Sequence, residues 1–205
     1  MKNIKYIIPI IIILATYSCQ AQQYELIGTC EGCEAIFEYG DKKLSAVDTL
    51  IDFNNQGPKL KVSGIVYQND GKTPAENVIL YIYHTNQNGI YPKKGDERGW
   101  AKRHGYIRGW VKTDNKGKYT FYTLKPGTYP SRNEPAHIHI TVLEPNGKYY
   151  WINSYYFSDD SLLTDKDKNN TSIRGGGANI LNLKKENNLL IGNRDIILGK
   201  NIPGY

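Results

Sequence analysis

The stretch that decides the fold is residues 60–83, LKVSGIVYQNDGKTPAENVILYIY. Between 60 and 67, apolar and polar side chains alternate, which is typical of a strand with one buried face. Asp70-Gly71 then provides a turn. From 78 to 83 the side chains form a continuous apolar run, which favours a strand buried on both faces. The stretch therefore predicts two β-strands joined by a polar connection.

Further apolar stretches follow at regular spacing, and turn residues separate them. No long helical period occurs within 58–160. The composition agrees, because 17 tyrosines and 20 glycines favour strands and turns. Short strands at this spacing predict an all-β fold, an antiparallel β-sandwich or a barrel. The additional strands are expected at 106–113, 119–124, 137–143 and 149–157.

Four parts are predicted along the chain. A signal segment covers 1–19, and a lead-in with little periodicity covers 20–57. The sandwich follows at 58–160. A C-terminal extension covers 161–205, and its apolar residues between 178 and 200 suit edge strands.

The first 22 residues have the pattern of a secretory signal. Lys2 and Lys5 precede an apolar run at 7–15, and small residues follow it. The run is short for a bilayer span, so a permanent transmembrane helix is the weaker interpretation. The mature protein is therefore expected outside the cytoplasm, in the periplasm or at the outer membrane or cell surface.

Two cleavage outcomes are open for this signal. Ser18-Cys19 resembles a loose bacterial lipobox, in which Cys19 becomes a lipidated N-terminus that anchors the protein to a membrane. The alternative is ordinary cleavage after Ala21.

The remaining cysteines, Cys30 and Cys33, are separated by two residues. They could form a redox or metal-binding pair, or a small local disulfide. No second Cys-x-x-Cys occurs, so the chain cannot build a four-cysteine zinc site. No βαβ pattern surrounds the pair, and the export signal implies an oxidising compartment. A disulfide is therefore favoured.

The charge distribution argues against nucleic-acid binding. The formal net charge is +6, but basic residues are scattered among acidic ones and form no long basic run.

The chain has four histidines, and two of them form a His-x-His pair at His137 and His139. On a strand, residues two apart point to the same face, so both imidazoles suit one metal ion. The alternative is a pair on an exposed strand face. His84 and His104 are interpreted as packing or hydrogen-bonding residues.

The surroundings of this pair carry a family resemblance. Four motifs follow one another along the chain: GIY at 89–91, TDNKGKY at 113–119, PGTYP at 126–130 and PAHIH at 135–139. Together, and in this order, they resemble those of the intradiol ring-cleavage dioxygenases, the catechol and protocatechuate dioxygenase family. The resemblance covers roughly residues 62–157.

The resemblance implies a ferric iron site, Fe(3+), and an enzyme that cleaves a small aromatic 1,2-diol with O2. Its metal ligands would be Tyr91, Tyr129, His137 and His139. Phenolate oxygen is a hard anionic donor that suits Fe(3+). The resemblance also implies that Tyr129 leaves the metal and accepts a substrate proton, and it leaves room for a homodimer.

Two arginines are further candidates, and Glu134 is a departure from the family pattern. Arg108 matches a family arginine near the pocket, although a solvated strand residue is an equal interpretation. The position before Pro-Ala-His is usually arginine in the family, and here it is Glu134. Arg132 is a candidate replacement for that cation.

A second function is compatible with part of the pattern. The glycine-containing turns also fit transthyretin-like and carboxypeptidase-regulatory-like modules, which are non-catalytic binding domains on cell-surface proteins. Such a module explains neither Tyr91 nor the His-x-His pair.

Overall fold

The computed structural model describes residues 23–131 and 133–205, and within them it is nearly all β. Twelve strands form two six-stranded sheets. The predicted β-sandwich is therefore confirmed. Cys19 and the predicted signal segment fall outside the described residues.

The first sheet contains four long antiparallel strands in the order β8-β7-β4-β5. Strand β7 thus lies between two neighbours, which makes it a rigid position for functional side chains. The two short strands β1 and β9 each pair with β8 in parallel. The bounds are β1 Glu25–Leu26, β4 Ile79–His84, β5 Arg108–Lys112, β7 Ile138–Leu143, β8 Lys148–Phe157 and β9 Ile180–Leu181.

The second sheet is built on the antiparallel pair β3 and β6. Its outer strands are short, and β11, β12 and β2 pair with this central pair in parallel. The bounds are β2 Val47–Thr49, β3 Lys59–Tyr67, β6 Lys118–Leu124, β10 Lys184–Glu186, β11 Leu189–Asn193 and β12 Ile196–Ile197.

The main core lies between the sheets. Alternate side chains of β3 and β6 meet those of β4, β7 and β8 in one cluster of buried residues. This explains the alternation at 60–67, since Leu60 and Val62 are fully buried and Lys61 is not. Complete burial of one aliphatic side chain contributes about 1.5–3 kcal/mol.

A second, smaller cluster covers the outer face of the first sheet. A 3₁₀ turn at Cys33–Phe37 packs Ile36 against Tyr81 and Trp110. Tyr81 is therefore buried, although Leu80 and Ile82 on the same strand point into the main core. The prediction that 78–83 is buried on both faces is confirmed.

The predicted lead-in and extension are integral parts of the two sheets. Strands β1 and β2 come from 20–57, and β9 to β12 come from 161–205. The strands expected between 178 and 200 are confirmed, whereas β1 and β2 were not predicted. They have only two and three residues, too few for a periodic pattern.

The disulfide expected between Cys30 and Cys33 is present at the start of the 3₁₀ turn. Two short α-helices, α1 (Ala101–His104) and α2 (Asp165–Lys168), lie in connections between strands. In the described part of the chain, neither is long or apolar enough to cross a membrane.

Candidate metal centre

Strand β7 positions the His-x-His pair. His137 immediately precedes the strand and His139 lies on it, while Ile138 between them is fully buried in the core. The pairing of β7 with β8 shifts register between Ile138 and Ile140, which is a β-bulge at His139. Bulges commonly redirect a side chain beside a functional site. The two Nε2 atoms are 3.0 Å apart.

The two tyrosines lie on two loops that are connected by hydrogen bonds. Tyr91 follows β4, and Tyr129 follows β6. Asn86 connects the loops, because its side-chain oxygen accepts hydrogen bonds from the Asn88 and Ile90 amides and its carbonyl accepts one from the Gly127 amide at 2.9 Å.

Close approach of the two loops requires glycine at position 89. Gly89 has φ +72°, a conformation that disfavours other residues. A Cβ atom there would lie 1.7 Å from the Thr128 carbonyl oxygen. The Gly-x-Tyr spacing therefore has a structural reason, since glycine lets the Tyr91 loop lie against the Tyr129 loop.

All four predicted ligands are brought together. The hydroxyl oxygens of Tyr91 and Tyr129 are 2.5 Å apart, and the Tyr91 oxygen is 3.0 Å from His139 Nε2. The Tyr129 oxygen is 3.4 Å from Nε2 of both His137 and His139. We call these residues the four-ligand cluster.

The histidines fit a metal-binding role. His137 Nδ1–H donates to the Pro135 carbonyl at 2.7 Å, so its Nε2 carries a lone pair toward the cluster. Burial, and then the neighbouring His137, lowers the pKa of His139 well below its ordinary value. A neutral imidazole is the form that binds metal.

The tyrosines fit a cation of high charge. Burial, and then the hydrogen bond with Tyr129, raises the pKa of Tyr91 well above its ordinary value. A phenolate in this position therefore needs a strong positive charge beside it. Among the described residues, no group of three or more histidine, cysteine, aspartate or glutamate side chains could hold a metal, so a metal at this site requires the tyrosine oxygens. Two phenolates and two imidazoles suit Fe(3+).

The four-ligand cluster opens onto a cavity of about 520 Å³. Two smaller cavities adjoin it, one of about 430 Å³ that also touches Tyr91 and Tyr129, and one of about 190 Å³ that also touches Tyr83 and His139. Flat rings form much of the wall of the main cavity. They are Tyr83, Tyr91, Trp100, His104, Tyr129 and His139.

The other predicted site residues lie in different places. Arg108 is not brought to the cluster, because its guanidinium forms an ion pair with Glu38 at 2.5 Å and lies over the Trp110 ring. It is absent from the cavity wall. Arg132 lies outside the described residues. Glu134 is close to the cluster, with Oε1 3.9 Å from His137 Nε2.

The remaining two histidines have different environments. His84 is fully buried and bonded on both nitrogens, by Thr123 Oγ1 and the Thr85 carbonyl, each at 2.7 Å. The interpretation of His84 as a packing or hydrogen-bonding residue is confirmed. His104 is hydrogen-bonded as predicted, but it also lines the cavity, which the sequence did not predict. Tyr83 was missed too, although it is the register partner of His139.

Comparison with known proteins places this geometry in context. A family model described as "Dioxygenase" matches residues 38–187. The chain is 32% identical to the protocatechuate 3,4-dioxygenase beta chain of Burkholderia cepacia over 116 residues, which is 52% of this chain and 48% of that protein. It is 28% identical over 130 residues to catechol 1,2-dioxygenase of Candida albicans, covering 53% and 42%. The chain thus spans about half the length of the curated relatives it matches.

Solved structures share the fold at lower identity. Catechol 1,2-dioxygenase from Acinetobacter sp. ADP1 superposes with a TM-score of 0.57 at 16% identity, covering 88% of this chain and 61% of that one. The dioxygenase domain of a carbohydrate-binding fusion protein from Streptomyces sp. SirexAA-E gives 0.55 at 22% identity, covering 78% and 94%.

Proposed function

Because the chain belongs to the intradiol ring-cleavage dioxygenase family, we propose that it is an Fe(3+)-dependent enzyme that cleaves an aromatic 1,2-diol with O2. The carbon–carbon bond between the two hydroxyl-bearing carbons breaks, both atoms of O2 enter the product, and two carboxyl groups form. The ring carbons are oxidised and O2 is reduced.

One observation carries this proposal. Two tyrosine oxygens and two histidine nitrogens converge, with separations of 2.5 to 3.4 Å between them. Tyr91, Tyr129, His137 and His139 would hold the metal. When bound, Fe(3+) would act as a Lewis acid on both oxygens of the diol and make the ring reactive toward O2.

The protein's own residues would perform the proton and binding steps. Tyr129 is the proposed proton acceptor for a diol hydroxyl, since its oxygen lies at the cluster and its loop borders two of the cavities. Tyr91, His137 and His139 would stay on the metal. Tyr83 and Trp100 give the cavity flat apolar walls, and such walls suit an aromatic ring.

A non-catalytic transthyretin-like module is the weaker alternative. Such a module needs no convergent donors, whereas this chain places four of them at one point beside a cavity. The Asn86 and Gly89 contacts that bring the tyrosine loops together also have no purpose in a spacer domain.

Iron loading and oxygen uptake test the proposed function. The protein loaded with Fe(3+) should be wine-red, because tyrosinate-to-iron charge transfer absorbs visible light, and it should consume O2 with at least one member of a panel of catechols. Tyr129→Phe should weaken the visible band, and protein loaded with zinc should stay colourless. A colourless iron-loaded protein would contradict the iron site. A coloured protein that leaves every catechol uncut would contradict the dioxygenase activity.

We also propose that the protein works outside the cytoplasm. The pattern of residues 1–22 and the Cys30–Cys33 disulfide both support this location. Expression of the full chain followed by cell fractionation should place it in the periplasm or the membrane fraction. Labelling with a radioactive fatty acid that disappears in Cys19→Ser would support the lipid anchor, and a cytoplasmic product would contradict export. The homodimer stays a prediction.

A further inference from the structure

His104 lies one ring away from the four-ligand cluster. Its ring stacks on Tyr83 with centroids 3.8 Å apart and planes at 8°. Tyr83 stacks in turn on the ligand His139, at 4.5 Å and 14°. Trp100 also stacks on His104, with ring centroids 5.5 Å apart. His104 is thus part of a stack of rings along the cavity wall, and its position relative to His139 is set by packing.

The hydrogen bond with Tyr81 determines which nitrogen of His104 carries the proton. Tyr81 Oη lies 2.8 Å from His104 Nδ1. Tyr81 is fully buried, and among the described residues His104 Nδ1 is the only hydrogen-bond partner of its hydroxyl that can accept. The hydroxyl hydrogen therefore goes to His104 Nδ1, because it would otherwise be buried without an acceptor, and the proton of the neutral imidazole lies on Nε2.

Burial preserves this arrangement at neutral pH. Burial raises the pKa of Tyr81 well above its ordinary value, so the phenol keeps its hydrogen. Burial, and then the Arg108 cation, lowers the pKa of His104 to about 4. The imidazole therefore stays neutral with one donor at Nε2 and one acceptor at Nδ1.

The Nε2–H donor has no partner among the described residues, although Nδ1 has one. His104 lines the main cavity. Glycine is required at position 32, because a Cβ atom there would lie 2.8 Å from His104 Nε2 and crowd it. An N–H group that lines a cavity and has no partner in the protein can donate a hydrogen bond to an acceptor atom of a ligand. Such a group contributes to ligand specificity.

The charges of the same cavity indicate the kind of acceptor. Lys93, Lys102 and Arg103 line it, with Glu31 as the carboxylate opposing them. Glu31 is already paired with Arg103. The two lysines therefore give the cavity a positive potential, which favours an anionic group.

We propose that His104 is a specificity-determining residue, whose Nε2–H donates to an anionic substituent, such as a carboxylate, on the ring of an aromatic 1,2-diol held at the four-ligand cluster. This inference rests on the proposed function. The substituent would point away from the diol, past Tyr83, toward Lys93 and Lys102. Tyr81 is a positioning residue, because it acts through its hydrogen bond with His104.

Two substitutions of His104 distinguish the contribution of its N–H donor to ligand binding from the contribution of its ring stacking. His104→Phe keeps the stacking and removes the donor, whereas His104→Gln keeps an N–H group of similar reach. The probes are 3,4-dihydroxybenzoate, catechol and 4-methylcatechol, the last as a control for substituent size. Dissociation constants are measured under argon with iron-loaded protein, and kcat/KM is measured in air.

In His104→Phe, the dissociation constant for 3,4-dihydroxybenzoate should rise about tenfold or more, as expected for a hydrogen bond to a charged group. The values for catechol and 4-methylcatechol should stay within about twofold, a change smaller than a net hydrogen bond. His104→Gln should recover most of the loss, and Tyr81→Phe should show a smaller loss in the same direction.

Equal weakening of all three compounds in His104→Phe, or no weakening of the carboxylated one, would overturn the proposal. If His104→Phe does not fold, the near-isosteric pair His104→Gln and His104→Met makes the same comparison. The outcome is separable from the proposed function, because binding under argon reports on His104 even if no diol is cleaved in air.

Discussion

Replacing His139 with alanine should abolish ferric iron binding and ring cleavage together. Its Nε2 lies 3.0 Å from both His137 Nε2 and the Tyr91 hydroxyl, so it contributes to the centre of the four-ligand cluster. Loss of even an outer partner of a metal ligand typically costs about 10–100-fold in metal affinity, so loss of the ligand itself should exceed about 100-fold. Iron content per chain after dialysis and the intensity of the visible band measure the effect.

His104→Gln is the matched control for this change. It alters a second histidine on the same cavity wall but removes no proposed ligand, so it should retain iron and colour. Thermal unfolding of both variants checks that the sandwich is intact. A His139→Ala protein that keeps one iron per chain and the full visible band would show that the metal, if bound, is held elsewhere.

The parts of the site that follow from local geometry could be predicted from the sequence. The His-x-His pair on β7 is an example, because residues two apart on any strand share a face. Alternation at 60–67 and the apolar run at 78–83 likewise reflect burial on one or both faces of a strand. Periodicity could not predict Tyr91 and Tyr129 as site residues, because they lie on loops that meet through Gly89 and Asn86. They were predicted from the order of the sequence motifs.

The parts that depend on distant pairing could not be predicted. Tyr83 faces the site because β4 pairs with β7 in a register that sets it beside His139. His104 reaches the cavity through stacking on Tyr83 and a bond to Tyr81. Arg108 was interpreted equally as a pocket arginine or a solvated strand residue. In the structure its guanidinium pairs with Glu38 from the lead-in and does not line the cavity. The Glu38 carboxylate also accepts a hydrogen bond from the Trp100 amide. No pattern around Arg108 indicates this partner 70 residues away.

Glu134 is a departure from the family pattern that lies beside the four-ligand cluster. Its carboxylate lies 3.9 Å from His137 Nε2, and its side chain is 39% exposed. A negative charge at this distance favours a cation in the cluster. The same charge opposes the anionic diol and the negative charge that develops on the ring during cleavage. The wild-type protein should therefore hold iron firmly and turn over slowly.

Glu134→Arg should raise kcat/KM for catechol by about tenfold and weaken iron binding. Removal of one donor from an oxyanion site costs about 10²–10³ in rate, and partial solvent exposure of position 134 reduces the gain accordingly. Glu134→Gln, which removes the charge without adding a cation, should fall between the wild type and Glu134→Arg. Oxygen-electrode rates divided by iron content measure both variants on the same scale. A rate in Glu134→Gln well below that of the wild type would mean that the carboxylate assists the reaction, most simply as a second proton acceptor beside Tyr129, and the charge argument would be wrong.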